Sequence, residues 1–250
     1  MPLYRYLKSS PQLNLPMAAI SLLAIHKNKI LVGLSYILIA SGLLLIGNAV
    51  FPILAYEVFT SKEFDKVETP KVMVYNPNLP KEALAQEPAD LTNANNWFPE
   101  NNAPVNTRSP KVEFYNLTIP KLGIKNAAVK IAGSDLNHSL IQYKGTANPG
   151  EPGNPVIFGH SILPQFYNPK NYISIFSTLP TLKSGDIILV DYDGIQYSYE
   201  VEQLHEVKPT DVSVLEQRYD RKEISLVTCV PPGTYLRRLI VKAKLVDNNK

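Results

Sequence analysis

Cysteine is nearly absent from this chain: of 250 residues, only Cys229 carries a thiol. An intramolecular disulfide is therefore excluded, as is any zinc site built from several thiolates. Histidine is scarce, with four residues, and no Cys/His pair falls at the spacing that zinc ligands require. No glycine-rich phosphate loop is present; the Pro149–Gly153 turn lacks the strand–loop–Lys arrangement such loops need. The formal net charge is only +3, with no basic run outside the juxtamembrane lysines, so nucleic-acid binding is not expected. Charge of either sign is missing altogether from Ile30 to Tyr56.

That charge-free run is 27 residues long and rich in Leu, Ile, Ala and Gly. A bilayer core requires roughly 20 apolar residues in a helix, and a signal-peptide core only about 7–15, so the run reads as a retained transmembrane anchor. Residues 1–29 hold Arg5, Lys8, Lys27 and Lys29 and no acid, whereas Glu57, Glu63, Asp65 and Glu68 follow the run. Excess Lys and Arg stays in the cytoplasm, so residues 1–29 are expected inside and 57–250 outside the cell. A weaker apolar stretch, Leu15 to Ile25, is too short to span and is expected to lie along the inner surface. A lone thiol outside the cell is normally avoided, paired with another chain, or used.

Residues 57–110 have seven prolines, many asparagines and no glycine, a composition that favours an extended, semi-stiff stalk. Trp97–Phe98 stands out in it, either as a local anchor on the following domain or as a lid over a site. From Lys111 the texture changes to short strands between turns: Val112–Ile119, Asn154–Gly159, Asp186–Tyr192, Ile195–Val207, Glu223–Thr228 and Arg238–Val246. Asp193–Gly194 is a strong two-residue hairpin signal. Ser134 is placed to cap a short helix through Tyr143, and Val212–Arg218 reads as another. Several short strands in about 140 residues point to a mainly β domain over 111–250, a closed or nearly closed barrel.

Cys229 ends an apolar strand beside the Val-Pro-Pro-Gly loop, held rigidly yet next to open chain. A thiol in this position is either a buried apolar filler or a nucleophile activated by a neighbouring base or cation. His26 falls on the inner side; His138 and His205 fit ordinary structural roles. His160, directly after Val156–Gly159, stands at a strand end as Cys229 does. Arg237 and Arg238 open the last strand and point to opposite faces, so at most one meets an oxyanion formed at the thiol.

In these pieces the chain resembles the sortases, cysteine transpeptidases of bacterial cell surfaces. Ser225-Leu226-Val227-Thr228-Cys229 is similar to the family's TLxTC signature, with Ser225 in place of the first threonine. The run from Cys229 through Arg238-Leu239-Ile240-Val241 resembles the Cys-x-Pro…Arg-Leu-Leu-Val segment, and that alignment selects Arg238 over Arg237. Gly145-Thr146-Ala147 through Gly159-His160 resembles the approach to the family's histidine. Ile119–Ile124 and Leu182-x-x-Gly185-Asp186 are similar to the opening strand and to a strand-initiating turn.

The resemblance covers roughly residues 112–246. It implies a closed barrel of about eight strands with short helices, behind the transmembrane helix and the Pro/Asn-rich stalk. It implies Cys229, His160 and Arg238 as catalytic residues, with Thr228 lining the substrate site. The implied activity is cleavage of an LPxTG-like C-terminal sorting signal through a thioacyl-enzyme, then transfer to an amine acceptor. The implied partners are secreted proteins bearing that signal and either peptidoglycan or a pilin lysine. No cofactor or metal is implied, although some members use a structural calcium ion whose ligands do not map onto this sequence. With no second apolar run after the last strand and no Asp-Pro-aromatic lid motif, wall anchoring is expected over pilin joining, or over an inactive tethered binding module.

Overall fold

The computed structural model describes residues 17–66, 90, 92–97 and 112–246. The chain divides into two units, 1–50 and 51–250. The charge-free run forms most of one helix, α1 (Met17–Ala55). Leu31–Glu63 is long and apolar enough to cross a membrane. From Leu31 the apolar side chains of α1 are almost all exposed, an arrangement stable only against lipid or another apolar surface. The backbone of Met17–Ile25 runs into α1 without a break, so the expected separate inner-surface segment is a continuation of the same helix.

In the second unit the strands are β1 (Asp65–Lys66), β2 (Phe114–Ile119), β3 (Ile124–Ile131), β4 (Leu140–Gln142), β5 (Val156–Phe158), β6 (Ile187–Tyr192), β7 (Ile195–Val207), β8 (Glu223–Val230) and β9 (Arg237–Val246). They pair in the order β7-β6-β2-β3-β4-β5-β8-β9, and β9 returns to β7, closing an eight-stranded barrel. β7 makes closure possible: its first six residues pair with β6, and Ser198–Val207 pair with β9 across a bulge at Val201–Gln203. The two-residue β1 pairs in parallel with His205 and Glu206 of β7, beyond the end of β6. Asp193 and Gly194 both take positive φ (50° and 78°), the condition of the tight hairpin turn their sequence predicts.

Two expected helices are absent. Residues 134–143 form turns and β4, because the backbone of 134–136 pairs with residues 92–94 and Leu140–Gln142 join the sheet. Val212–Arg218 contributes only a 3-10 turn, Ser213–Leu215. The first residues after α1 turn back onto the barrel: Tyr56 and Phe64 are buried in its core. The prolines of the expected stalk, and Phe98, lie outside the described residues.

Alternation sorts the strands into two packed layers. Ile224, Leu226 and Val230 of β8 join the barrel interior with Leu117, Phe176, Leu239 and Val241. Val227 and Cys229 face the other way, into a second cluster with Phe158, Ile240, Leu136, Val214 and Trp97. β8 is consequently buried along its whole length, on both faces.

Candidate active site

The site forms where three strands end together. In the β8–β9 ladder Cys229 is paired directly with Arg238, and such partners share a face of the sheet. β5 runs parallel to β8, with Phe158 opposite Val227 as the last named pair. Two residues further on each strand stand His160 and Cys229. Side chains carry the pairing past the end of the ladder: Thr228 Oγ1 donates to Gly159 O (2.8 Å), and Ser161 Oγ donates to Cys229 O (2.6 Å). The residues flanking the histidine are thus tied to the cysteine strand on both sides. Gly159 is required by close packing, since a Cβ there would lie 2.5 Å from Phe176 Cδ2 and 2.7 Å from Leu140 Cδ2.

Trp97 covers this corner. It ends a 3-10 turn, Ala94–Trp97, that is tied down by Ala94 N–H to Ser134 O and Asn96 Nδ2 to Asp90 O, both 2.8 Å. The indole is 1% exposed, with ring centroids 5.3 Å from Phe158 and 6.0 Å from His160. The Arg238 guanidinium carbon lies over the same ring at 5.0 Å, a cation–π contact in a water-poor setting. Arg238 itself is 2% exposed; Nη1 donates to Tyr235 O, while Nε is buried without a hydrogen-bond partner.

Under this cover Cys229 and His160 are both driven to their neutral forms. Burial pushes the Cys229 thiol up to about 11 from its ordinary 9.0, outweighing the pull of the Arg238 charge. Burial also holds His160 below its ordinary 6.5, against the Asp90 and Asp135 carboxylates, and its Nε2 is buried without a partner. In this covered arrangement both side chains are uncharged near neutral pH.

The remaining candidates lie elsewhere. His138 is exposed and pairs with Asp135 at 2.7 Å. His205 sits in β7 opposite Ile240, and β9 separates it from β8. Arg237 turns away from Cys229 and binds Glu206 (2.6 Å) and Glu57 (2.5 Å). Thr228 is wholly buried, as Cys229 and Arg238 nearly are, and its hydroxyl donates to Gly159 O. Ser161 was not legible as a site residue; its only signal is adjacency to His160. Among the described residues no group of three or more His, Cys, Asp or Glu is gathered to hold a metal ion.

Residues 117–246 match the sequence model of the sortase domain. The chain is 25% identical to Sortase D of Bacillus subtilis (strain 168) over 134 residues, covering 52% of this chain and 62% of that protein. It is 27% identical to Sortase A of Bacillus anthracis over 133 residues, covering 52% and 58%. The match therefore spans about three-fifths of the length of these relatives. Among solved structures, Sortase A from Corynebacterium diphtheriae aligns with a TM-score of 0.48 at 29% identity, covering 57% of this chain and 66% of that one. The domain match takes in all eight barrel strands from Leu117 of β2 onward, with Cys229, His160 and Arg238 among them, and the chain belongs to the sortase family.

Proposed function

We propose that this chain is a cysteine transpeptidase, held in the membrane by α1 with the barrel outside the cell. It cleaves an LPxTG-like sorting signal and passes the acyl half to an amine acceptor of the cell wall. The observation that best supports this reading is the Cys229–Arg238 cross-strand pair with His160 at the matching end of β5. A thiol, a proton carrier and a fixed cation are the groups that acyl transfer at a backbone carbonyl needs.

The reaction divides into two displacements. The Cys229 thiol passes its proton to neutral His160, and the resulting thiolate adds to the scissile carbonyl carbon, forming a C–S bond as the carbonyl electron pair moves onto oxygen. As the C–N bond breaks, protonated His160 gives its proton to the departing amine. The acceptor amine then adds to the thioester, the C–S bond breaks, and neutral His160 takes the proton released by the amine. Arg238, whose Nε is unengaged and buried, stabilises the oxyanion in both steps. No step draws on a cofactor.

Because the covered site holds both groups neutral, Trp97 lifts before chemistry begins. This covering also favours a second reading, pilin joining through a lysine acceptor, since lids are common among such enzymes. The orientation of the anchor is that expected from Arg5, Lys8, Lys27 and Lys29.

Cys229→Ala in the full-length protein is expected to eliminate cleavage of a sorting-signal peptide while leaving the far-UV spectrum unchanged. Turnover by that variant would overturn the assignment. Supplying the wild type with diaminopimelate-type or lysine-type amines and identifying the adduct by mass separates wall anchoring from pilin joining.

A further inference from the structure

The last residues of the charge-free run, with Phe59 and Thr60 just after it, line a cavity of about 290 Å³, at the small end for ligand sites. Pro52, Tyr56 and Phe59 form one wall, and Pro164, Pro180 and Pro232 stand on the other. None of the residues lining it is charged. The second wall belongs to the catalytic loops: Pro164 follows His160 by four residues, and Pro232 follows Cys229 by three. Phe176 N–H, one residue from the cavity wall at Ser177, bonds to His160 O at 3.0 Å, and Ser177 Oγ accepts from Ile162 N–H at 2.9 Å.

The first wall is firmly held. Tyr56 OH donates to Glu206 Oε1 at 2.5 Å, and Arg237 bridges Glu206 and Glu57. The Glu206 side chain is 1% exposed, so this is a buried, multiply bonded attachment of the Tyr56–Glu57 segment to the barrel. The uncharged run would extend roughly 40 Å as a helix, about 10 Å more than a hydrocarbon core. Its last residues, which line the cavity, therefore belong at the membrane interface, where the abundant apolar material is lipid.

We infer that this cavity takes one hydrocarbon chain of an outer-leaflet membrane lipid, lodged between the end of the anchor and the loops after His160 and Cys229. The inference rests on the anchoring reading above. A chain seated there packs against the segment bonded to the His160 backbone, so lipid composition bears on the catalytic corner.

The test uses full-length protein in phosphatidylglycerol/phosphatidylcholine vesicles containing a phospholipid with a terminal diazirine on one acyl chain. After irradiation, labelled peptides are mapped by mass spectrometry. Label is expected on residues 164–181 as well as on 31–50. Thr181→Trp, which fills the rim, is expected to lower the label on 164–181 by about tenfold relative to that on 31–50, the effect of excluding about two buried methylenes. Label confined to 31–50 would leave the anchor in the bilayer and overturn the lipid site. No label on 31–50 would overturn the anchoring reading and the site with it. Undiminished label on 164–181 in Thr181→Trp would mean collision at the surface and not occupancy. Label on 164–181 from a diazirine-bearing sorting-signal peptide, but not from lipid, would make the substrate the occupant and overturn the proposal.

Discussion

Two adjacent arginines at the start of β9 do opposite work because alternate strand residues face opposite ways. Arg238 is stacked on Trp97 beside Cys229, and Arg237 is bound to two glutamates. Arg238→Ala is expected to lower kcat/KM for peptide cleavage by about 10²–10³, the range for loss of one oxyanion donor, with little change in folding. Arg237→Ala is expected to do the reverse, because it strands Glu206 as a buried charge at a cost of about 3–5 kcal/mol. Peptide cleavage and urea unfolding on both variants check this, and the reverse ranking would place the wrong arginine at the site.

The Cys229 and His160 shifts make the cover pH-sensitive at the same scale. Closure favours neutral His160, an advantage lost as pH falls below 6.5; it favours neutral Cys229, an advantage lost as pH rises past 9.0 towards about 11. The covered state is thus most populated between those limits. Trp97 is the chain's only tryptophan, so its fluorescence reads the cover directly. Emission is expected to shift to longer wavelength on both sides of that window, and a flat profile would remove the coupling.

At the scale of elements, the segment from Tyr56 to Lys66 behaves as part of the barrel and not as tether. β1 extends the β7 edge, and Tyr56, Glu57 and Ser61 reach the Glu206–Arg237 pair. The two glutamates bear unequal loads because one is buried and the other partly solvated. Glu57→Gln is expected to change unfolding free energy by less than about 1 kcal/mol, as for other exposed pairs. Glu206→Gln is expected to cost about 1.5–3 kcal/mol, since it removes the charge-assisted bonds that Tyr56 and Arg237 make to a buried carboxylate. Equal effects in denaturant titrations would show that this network does not anchor the segment.

For the molecule as a whole, the barrel wears an outer apolar layer that its own strands do not cover. Phe158, Val227, Cys229 and Ile240 face outward and are sealed by Trp97, Leu136 and Val214. A fragment of residues 112–246 keeps Leu136 and Val214 but lacks Trp97, and so exposes the part of that layer beneath the indole. Loss of so large a buried side chain typically costs about 3–5 kcal/mol. The fragment is therefore expected to melt below the 51–250 chain, while Cys229 reacts faster with iodoacetamide at pH 7.5. Slower alkylation in the fragment would mean that Trp97 activates the thiol and does not shield it.

The long apolar helix, the β6–β7 hairpin, the strand of Cys229 and the His160 strand end were legible in the residues alone, because each rests on local physics. A charge-free run needs only length to be recognised; Asp193–Gly194 needs only two positive φ values; Arg237 and Arg238 part company by alternation. The helix expected after Ser134 fails because a cap is a local preference, and pairing of that backbone with residues 92–94 outweighs it. β3 and β4 were missed as well: β3 is the hairpin partner of β2 across Pro120–Gly123, and the three-residue β4 is defined only by its pairing with β3 and β5. The sequence by itself determined that Cys229 is the single thiol and that it stands at the end of an apolar strand. Only the tertiary structure decided that it lies under Trp97, beside Arg238, with its carbonyl held by Ser161. Burial is set by what packs on a residue from elsewhere in the chain, and it is burial that holds this thiol neutral.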